Sequence, residues 1–517
     1  MLFSAIVETS RRVTETSRRL EKIDLLAALL RQLDPEEIEI VVPYLSGYVR
    51  QGRIGIGYAT LQDAVANPAE TARLEIREVD RTLADLGITA GRGSSERKRD
   101  LLAALFGRAT GAEQQFLVRL LSGELRQGAL EGVMHEAVAK AAGVGAEEIR
   151  RAAMLAGEIA GVARAALESG AAGLARYDVE LFRPVQPMLA QTSDDVAAAL
   201  GDLGEAALEY KFDGARVQVH RSGGEVAVFS RRGNNVTAAV PEIVEAVRAL
   251  PGGSLILDGE VLSLAPDGRP RPFQITMRRF GRKLDVDRLR GELPLTPFWF
   301  DLLYADGQPL LDEPQARRFQ TLAKISPPGN LVPYTVTADP QRAEAFLKEA
   351  LALGHEGVMA KAVDSSYAAG RRGQSWLKIK QARTLDLVVL AAEWGHGRRK
   401  GWLSNLHLGA RDTGKGGFAM LGKTFKGLTD EMLTWQTEQL LKIEIARDSY
   451  TVHVEPKLVA EIAFNEIQIS PRYRSGLALR FARVKRYRPD KSAADADTFE
   501  TVRRMAGMEG NSGSGMP

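Results

Sequence analysis

The central segment of the chain reads Glu209-Tyr210-Lys211-Phe212-Asp213-Gly214-Ala215-Arg216, and it places one lysine in an apolar, strand-like run directly before a glycine turn. If that strand is buried, the lysine is poorly solvated, and burial favours the neutral amine, which is a nucleophile. Cationic residues such as Arg231 would favour the neutral form further and would also bind a polyphosphate. The alternative is an edge-strand lysine whose head reaches water, because a Lys-x-Asp-Gly match often arises by chance.

An ordered series of short motifs follows this segment. They are Ser230-Arg231-Arg232-Gly233, Leu257-Asp258-Gly259-Glu260, Phe298-Trp299-Phe300-Asp301, Glu356-Gly357-Val358-Met359-Ala360-Lys361 and Trp376-Leu377-Lys378-Ile379-Lys380. Each motif alone could be a solvated acid, a core aromatic or an edge lysine. Together they supply a nucleophile, acids for a hard cation, an aromatic face for a purine and cations for phosphates, which nucleotidyl transfer requires.

The chain outside these motifs predicts three domains and a tail. Residues 1–178 have helical spacing almost throughout and predict an all-α domain. Residues 179–384 mix strand and helix patterns, with a first strand-like run at Leu208–His220 and helices at Glu242–Leu250 and Gln341–Leu353, and predict an α+β domain. Residues 508–517 are rich in Gly and Ser and predict a disordered tail.

Residues 385–507 predict a β-barrel of the OB type. One helix, at Asp430–Lys442, is expected between the third and the fourth of five strands. The five strand candidates are Leu387–Glu393, Leu403–Ala410, Phe418–Thr424, Tyr450–Val454 and Leu458–Ile469. The third overlaps Gly417–Thr424, which matches the P-loop pattern, but no helix start follows it, so we interpret it as a barrel strand.

The helical region contains an internal repeat. Asp24-Leu25-Leu26-Ala27-Ala28-Leu29 recurs from Asp100 to Leu105 (100 − 24 = 76), and Arg50-Gln51-Gly52 recurs at the same offset as Arg126-Gln127-Gly128. This predicts two copies of one helical unit, each ending in a basic, glycine-containing turn. The turns could be ordinary helix C-caps. Alternatively Arg50, Gly52, Arg126 and Gly128 would suit two phosphates of a duplex.

Composition excludes several classes of protein. The absence of cysteine rules out disulfides, thiol catalysis and cysteine-ligated metal sites, and none of the six histidines has paired metal-ligand spacing. The net charge of +3 is too small to indicate a nucleic-acid partner by itself. No apolar run approaches the roughly 20 residues that cross a bilayer, and no signal peptide is evident, so we expect a cytoplasmic protein.

From about Asp24 to Asp497 the sequence resembles the ATP-dependent DNA ligases, and all six collinear motifs of the covalent nucleotidyltransferases are present. The resemblance implies a helical DNA-binding domain, an α+β nucleotidyltransferase (adenylation) domain and a C-terminal OB-fold domain. It implies an ATP-dependent DNA ligase that seals 5′-phosphate/3′-hydroxyl nicks through a lysyl-AMP and an adenylated DNA, in replication, repair or recombination. The expected cofactors are ATP and Mg²⁺ or Mn²⁺. The expected partner is nicked duplex DNA. We expect the protein to be a monomer and to have no membrane partner.

The resemblance also implies the roles of residues around the nucleotide. Lys211 is the adenylated nucleophile, Glu209 reads the adenine amino group, and Arg216 contacts the ribose. Phe300 stacks on one face of the purine, and Met359 or Val358 closes the other. The loop Gln186–Ala190 touches the base through its backbone.

Further residues are implied for the phosphates and the metal. Glu260 and Glu356 are the metal-linked acids, with Glu260 also near the ribose. The residues expected to meet phosphates or otherwise bind ATP are Arg231, Arg372, Lys378 and Lys380.

The last motif lies in the predicted barrel, from Arg480 to Lys491, with Ala482 where the family usually has proline. The resemblance implies that it orients pyrophosphate during adenylation and then swings away to admit DNA, and the alanine puts only a local turn in doubt. The alternative is a solvated charged tail. The residues expected to act are Arg480, Arg483, Arg486, Arg488, Asp490 and Lys491.

Two rival functions remain open at this stage. An RNA ligase or capping guanylyltransferase would use the same nucleophile and acids, but the repeated helical domain is a feature of DNA ligases. A non-catalytic DNA-binding protein would not require the nucleophile. NAD-dependent ligases share the lysine motif but have a different domain layout with a four-cysteine zinc site. A chain without cysteine cannot form that site, which excludes this family.

Overall fold

The computed structural model describes the chain apart from residues 53, 126, 128–130, 281–284, 369–371, 381–382, 397–398, 507 and 509–517, and apart from the side chains of residues 58 and 372–374. The predicted tail therefore lies outside the described residues, except for Met508. The chain divides into two units, Met1–Ile379 and Lys380–Pro517. Within the described residues, no helix has both the length and the apolar character that crossing a membrane requires.

Helices alone build the first region, apart from one isolated bridge between Leu2 and Glu75 in its described part. They bury apolar residues at helical spacing: Ile76, Val79, Leu83 and Leu86 lie along one face of α5 and are fully buried. The helices are α1 Phe3–Glu15, α2 Arg19–Leu30, α3 Pro35–Ser46, α4 Tyr58–Asp63, α5 Ile76–Ile88, α6 Ser94–Arg108, α7 Gly111–Leu121, α8 Glu131–Ala142, α9 Ala146–Ala156 and α10 Ala160–Leu174.

The internal repeat in the sequence is also a repeat of structure. Helices α3 and α7 begin at Pro35 and Gly111, which are separated by the offset found in the sequence (111 − 35 = 76), and the repeated segments that begin at Asp24 and Asp100 lie within α2 and α6. Each of α3 and α7 is followed by a glycine in the left-handed region, Gly47 with φ of 89° and Gly123 with φ of 72°. These two helices thus have the same offset as the sequence repeat, and two copies of one helical unit stay a prediction.

Two five-stranded sheets and six helices form the mixed α/β region in the described residues. The first sheet has the order β1-β10-β9-β2-β8 and the second the order β4-β3-β5-β6-β7. The strands are β1 Leu189–Thr192, β2 Ala206–Lys211, β3 Ala215–Ser222, β4 Glu225–Ser230, β5 Ser254–Ser263, β6 Leu295–Ala305, β7 Gln308–Pro309, β8 Tyr334–Thr337, β9 Gly357–Ala362 and β10 Arg372–Lys380. The helices are α11 Val196–Leu203, α12 Pro241–Arg248, α13 Phe273–Phe280, α14 Val286–Glu292, α15 Gln315–Ile325 and α16 Pro340–Ala352.

The chain changes sheets at the central segment. The strand-like run over Leu208–His220 is two strands separated by the glycine turn: β2 ends at Lys211 in the first sheet, and β3 begins at Ala215 in the second. Gly214 lies in this turn where a side chain has no room, because a Cβ added there would lie 2.5 Å from the carbonyl oxygen of Val261 and 2.8 Å from Leu262. The predicted helices Glu242–Leu250 and Gln341–Leu353 are confirmed as α12 and α16, each within two residues at its ends.

One small hydrophobic cluster joins the helical region to the mixed region. Met154 and Leu155 of α9 pack with Met188, Tyr367 and Trp376, all of them buried. The backbone N–H of Gln186 donates to the carbonyl oxygen of Met154 at 2.9 Å. The end of α9 therefore packs directly against the loop that precedes β1.

The second unit is rich in strands. Seven of them form one sheet in which β11 pairs with β12, β15 and β16, the strand sharing expected of an OB-type barrel, and β17 and β18 form a separate hairpin. The elements are β11 Arg383–Trp394, β12 Leu403–Arg411, β13 Phe418–Thr424, α17 Asp430–Lys442, β14 Glu444–Arg447, β15 Thr451–Val454, β16 Val459–Phe464, β17 Glu466–Ile469, β18 Leu477–Arg480, β19 Arg483–Tyr487 and α18 Phe499–Met505.

The predicted barrel had too few strands. Its helix, Asp430–Lys442, and its third strand, Phe418–Thr424, have the predicted bounds, so the P-loop match is part of a strand. The predicted strand Leu458–Ile469 divides into β16 and β17, and the short strands β14, β18 and β19 were missed. Strands of four or five residues, partly exposed, carry too few alternating positions to be recognised from sequence.

Candidate active site

Lys211 is the last residue of β2, and an acid from the neighbouring strand lies against it. In the antiparallel pairing of β2 with β9, Lys211 is opposite Gly357, the residue after Glu356. The Lys211 Nζ lies 2.7 Å from Glu356 Oε2 and donates to the carbonyl oxygen of Phe212 at 3.2 Å. The lysine side chain is 20% exposed, so it is less buried than the sequence suggested and is accessible to a reactant.

Glu260 reaches the same turn from β5. The backbone N–H of Gly214 donates to Glu260 Oε1 at 3.2 Å. Burial raises the pKa of Glu260 to about 7, against the opposing effect of the positive charges of Lys211 and Arg216. A carboxyl group that titrates near neutral pH beside a candidate nucleophile is typical of a functional site.

Glu209 lies two residues before Lys211 on the same face of β2 and is almost completely buried. Its Oε2 forms an ion pair with Lys361 Nζ at 2.6 Å, and the two side chains are 2% and 1% exposed. Burial raises the pKa of Glu209 to about 7, and Lys361 is the strongest influence in the opposite direction. The second oxygen, Oε1, is buried without a hydrogen-bond partner among the described residues.

Apolar and aromatic side chains surround this ion pair. The Lys361 Nζ lies 4.7 Å from the ring centroid of Phe300 and 4.2 Å from that of Trp376, and the two rings meet edge to face. Met359 is opposite Glu209 in the strand pairing. The predicted purine residues Glu209, Phe300 and Met359 are thus brought together, with an unpartnered acceptor among them.

Arg216 is held by groups that the sequence analysis did not assign. Its guanidinium forms two hydrogen bonds with Asp258, at 3.0 and 2.7 Å, and donates to the carbonyl oxygen of Met188 at 2.7 Å. The hydroxyl of Tyr367 donates to Asp258 at 2.7 Å. Asp258 could have been noticed, because it is two residues from Glu260 on one strand face, but no sequence signal pointed to Tyr367.

Arg231 lies in the exposed turn after β4, which Gly233 closes with a φ of 75°. This turn and Arg216 line a cavity of about 970 Å³ whose other wall includes Glu131 of α8 and Arg150 of α9. Arg231 and Arg216 therefore share a cavity between the helical and mixed regions, and Lys211 is not among its lining residues.

Lys378 and Lys380 alternate with buried residues along β10, which puts both on one face, as predicted. β10 pairs with β1, where Thr192 is opposite Lys378, and with β9. Arg372 begins β10, but its side chain lies outside the described part of the chain.

The last motif of the sequence spans the end of β18, β19 and the turn after it, and several of its charges are paired within the second unit. Arg486 bonds Glu461 at 2.7 Å, and Lys491 bonds Asp386 at 2.6 Å. Arg488 bonds Asp386 at 3.1 Å and Asp490 at 2.7 Å, and this last hydrogen bond lowers the pKa of Asp490 to about 2.

The remaining residues of that motif lie around a turn of unusual conformation. Arg480 bonds Glu466 at 3.2 Å, and Arg483 is exposed at the start of β19. Phe481, directly before Ala482, has a φ of 55° and is 53% exposed. The turn where the family usually has proline thus carries a left-handed residue.

The two basic turns of the helical region are only partly described. The Arg50 Nε lies 3.0 Å from Asp80 Oδ1, and Gly52 has a φ of 69°. The side chain of Arg50 is 46% exposed, although Asp80 is buried. The equivalent residues Arg126 and Gly128 lie outside the described residues.

Comparison with protein families finds matches in each region of the chain. The model described as "ATP dependent DNA ligase domain" matches residues 187–380. The model "ATP dependent DNA ligase C terminal region" matches residues 399–491, and "DNA ligase N terminus" matches residues 66–139. The three matches follow the order of the helical, mixed and strand-rich regions.

Similar proteins span the full chain. The "Probable DNA ligase" of Anaeromyxobacter dehalogenans (strain 2CP-1) is 58% identical over 512 residues, 98% of this chain and 100% of that protein. A "Probable DNA ligase" of Sorangium cellulosum is 54% identical over 511 residues, 98% and 95% of the two chains. The solved structure "Pmar-Lig_PreS3" has the same fold, with a TM-score of 0.61, 20% identity, and coverage of 93% and 99%. The chain therefore belongs to the family of ATP-dependent DNA ligases.

Proposed function

We propose that this protein seals 5′-phosphate/3′-hydroxyl nicks in duplex DNA through an AMP group carried covalently on Lys211. The observation that carries the proposal is the position of the Lys211 amine. It lies at the end of β2, 2.7 Å from Glu356 and beside Glu260. It is also two residues from Glu209, whose Oε1 is buried without a partner among the described residues and whose ion-pair partner Lys361 lies against Phe300 and Trp376. An amine, two acids, a free acceptor and aromatic side chains are parts that nucleotidyl transfer needs in one place.

The reaction has three displacements at phosphorus. Lys211 Nζ attacks the α-phosphorus of ATP, loses a proton, and pyrophosphate leaves as the bond to the β-phosphate breaks. An oxygen of the 5′-phosphate at the nick then attacks the phosphorus of AMP, and the bond to Nζ breaks. Finally the 3′-hydroxyl attacks the 5′-phosphate and AMP leaves, so that one phosphodiester bond has formed and the lysine is regenerated.

The residues around Lys211 have separate tasks in this proposal. Glu209 Oε1 accepts a hydrogen bond from the amino group of adenine, while Phe300 and Met359 contact the two faces of the ring. Arg216, which is held by Asp258 and bonds the carbonyl oxygen of Met188, is the proposed contact of the ribose.

Further cations, chiefly Arg231, Lys378 and Lys380, face the phosphates. The proposed residues for the pyrophosphate in the second unit are Arg480, Arg483, Arg486, Arg488, Asp490 and Lys491.

Glu260 and Glu356 are the proposed ligands of Mg²⁺ or Mn²⁺. Mg²⁺ is usually held in such sites by one or two carboxylates together with substrate phosphates, and a pair of acids beside Lys211 fits that pattern. Within the described residues no three acids or histidines form a ready metal site, which is consistent with a metal that arrives with the nucleotide. When bound, the metal offsets negative charge on the phosphates.

The proposed role of the helical region is to hold the DNA backbone without reading its sequence. Ligation has to work at any nick, so phosphate contacts suit the task. Arg50, whose side chain is 46% exposed although its guanidinium bonds Asp80, lies beside the left-handed Gly52 and is the described candidate for one such contact. Arg126 with Gly128 is its proposed counterpart. Nicks left by replication, repair or recombination are the proposed substrates.

Labelling tests this function directly. The full chain is incubated with α-³²P-ATP and Mg²⁺ and resolved on a denaturing gel, with Lys211→Ala and the surface variant Lys348→Ala as matched lysine substitutions. We expect acid-labile label on the wild type and on Lys348→Ala, and none on Lys211→Ala. Equal labelling of Lys211→Ala would remove this lysine from the mechanism, and labelling by GTP in place of ATP would favour a capping enzyme.

A further inference from the structure

Lys361 is a buried cation to which the mechanism above gives no task. It lies in β9, and 1% of its side chain is exposed. Burying an ammonium group is costly unless a partner compensates for the lost water, so its surroundings require an explanation.

Four contacts hold the Lys361 ammonium in place. Its Nζ lies 2.6 Å from Glu209 Oε2 and 3.4 Å from the carbonyl oxygen of Phe300, to which it donates. It also lies over the rings of Phe300 and Trp376, at 4.7 and 4.2 Å from their centroids. Both rings favour a cation at this distance. The lysine is therefore fixed between the proposed purine-stacking residue and Glu209.

The ion pair occupies only one oxygen of Glu209. The other, Oε1, is buried and has no hydrogen-bond partner among the described residues. A buried acceptor without a partner is unfavourable, and native structures rarely keep one without a ligand or water to satisfy it. The purine 6-amino group is a donor that would satisfy it.

No other described cation takes the place of Lys361. The charged groups that influence Glu209 besides Lys361 are Asp301 of β6 and Arg318 of α15, and Tyr334 of β8 is the remaining titratable neighbour. Arg318 is committed to Asp301, with bonds of 2.7 and 2.9 Å. Within the described residues, Lys361 is therefore the one cation at ion-pair distance from Glu209.

We propose that Lys361 is a positioning residue that makes the site select a 6-amino purine over a 6-keto purine. It favours the ionised form of Glu209 and leaves Oε1 available to a ligand. An ionised carboxylate accepts a hydrogen bond from the amino group of adenine but repels the keto oxygen of guanine or hypoxanthine. A protonated Glu209 could donate to that keto oxygen and would lose the discrimination. The inference rests on the proposed function, because it concerns the nucleotide that is transferred to Lys211.

The titration of Glu209 is consistent with this role. Burial raises its pKa to about 7 even with Lys361 present, so removal of the ammonium would raise the pKa further and leave the acid protonated at neutral pH. In the wild type, Glu209 changes from mostly ionised to mostly protonated as the pH falls through its pKa of about 7. Selectivity should therefore decrease on the acid side in the wild type and be lost already at neutral pH without Lys361.

The test compares labelling of the full-length protein by ATP and by ITP, which differ at the purine 6 position. Single-turnover rates of adduct formation are measured for the wild type, Lys361→Met, Lys361→Arg and the surface control Lys348→Met. We expect Lys361→Met to reduce the ATP/ITP ratio by about tenfold or more, the effect of one charge-assisted hydrogen bond, while Lys361→Arg retains most of it. The ratio in Lys348→Met should equal that of the wild type.

Each outcome separates this inference from the function on which it rests. If Lys361→Met forms the adduct with an unchanged ATP/ITP ratio, the positioning role is wrong. If Lys361→Met does not fold, the ATP/ITP ratio of the wild type, measured from about pH 8 to about pH 6, tests the positioning role instead. Effects of pH that are common to both nucleotides cancel in this ratio. A ratio that stays constant over that range overturns the inference. A wild type that forms no adduct with either nucleotide overturns the proposed function instead.

Discussion

Tyr367 holds together groups that the sequence places far apart. Its hydroxyl donates to Asp258 at 2.7 Å and accepts from the backbone N–H of Met188 at 3.0 Å and from Arg216 at 3.2 Å. A phenol has one proton to donate and two lone pairs, so these three bonds use its full capacity. The hydroxyl therefore fixes both the loop before β1 and the arginine that faces it.

Removing this hydroxyl is expected to weaken ATP binding more than catalysis. Tyr367→Phe leaves the buried N–H of Met188 and an oxygen of Asp258 short of a partner, which should cost about 1–3 kcal/mol of unfolding free energy. Because the loop at Met188 is a proposed base contact and Lys211 is untouched, KM for ATP should rise while kcat stays within a few-fold. Denaturant unfolding and adenylation kinetics measure both, with Tyr304→Phe as the control. A fall in kcat at constant KM would contradict the role.

Residues differ in how well sequence reveals them. Lys211, Glu209, Glu260 and Glu356 are predicted site residues because charged groups in or beside apolar strands are unusual and their order matches the family. Tyr367 could not be found, because its partner Asp258 is 109 positions away and a tyrosine among core residues attracts no notice.

At the scale of elements, the turn between β2 and β3 sets the position of Lys211, the proposed nucleophile, at the end of β2. Residues on both sides are apolar and alternate, so the sequence predicts a turn at the glycine, but the period alone does not reveal that the chain changes sheets. The sequence also does not show that Gly214 has no room for a side chain, since the carbonyl oxygen of Val261 would meet a Cβ at 2.5 Å. Such a packing constraint exists only once β5 has docked.

Gly214→Ala should therefore damage both stability and adenylation. The methyl group would have to displace backbone in β5, at an expected cost of about 1–3 kcal/mol, and would push Glu260 away from Lys211. Gly224→Ala is the matched control, because a Cβ there meets nothing within 4 Å and its φ is ordinary. We expect thermal unfolding and Lys211 labelling to be impaired in the first variant and near wild type in the second. Equal behaviour of the two would show that this turn tolerates a side chain.

For the whole molecule, positive and negative charges are nearly balanced. The net charge is only +3, although the chain has 69 basic residues, and arginines of the helical region such as Arg50 and Arg150 are paired with acids. The order of helical, mixed and strand-rich regions was predictable, because helix and strand periods differ along the chain. The side-chain pairs were not, since partners from distant segments meet only in the folded protein.

Binding of nicked duplex DNA is expected to be strongly dependent on salt. Contacts with phosphates release counterions, so affinity should fall at least about tenfold between about 50 and about 200 mM salt, with little dependence on sequence. Filter binding of two unrelated nicked duplexes over that range measures both properties. A flat salt response, or affinities that differ widely between the two duplexes, would argue against a backbone clamp.

The cluster that α9 shares with the loop before β1 bears on how the protein can be divided. Met154 and Leu155 pack with Met188 and Tyr367, so a fragment that begins at residue 179 would expose apolar surface beside the loop that we propose contacts the base. Such a fragment should be prone to self-association. Keeping α9, or replacing the uncovered methionine with a polar residue, is the rational starting point for a minimal version of the enzyme.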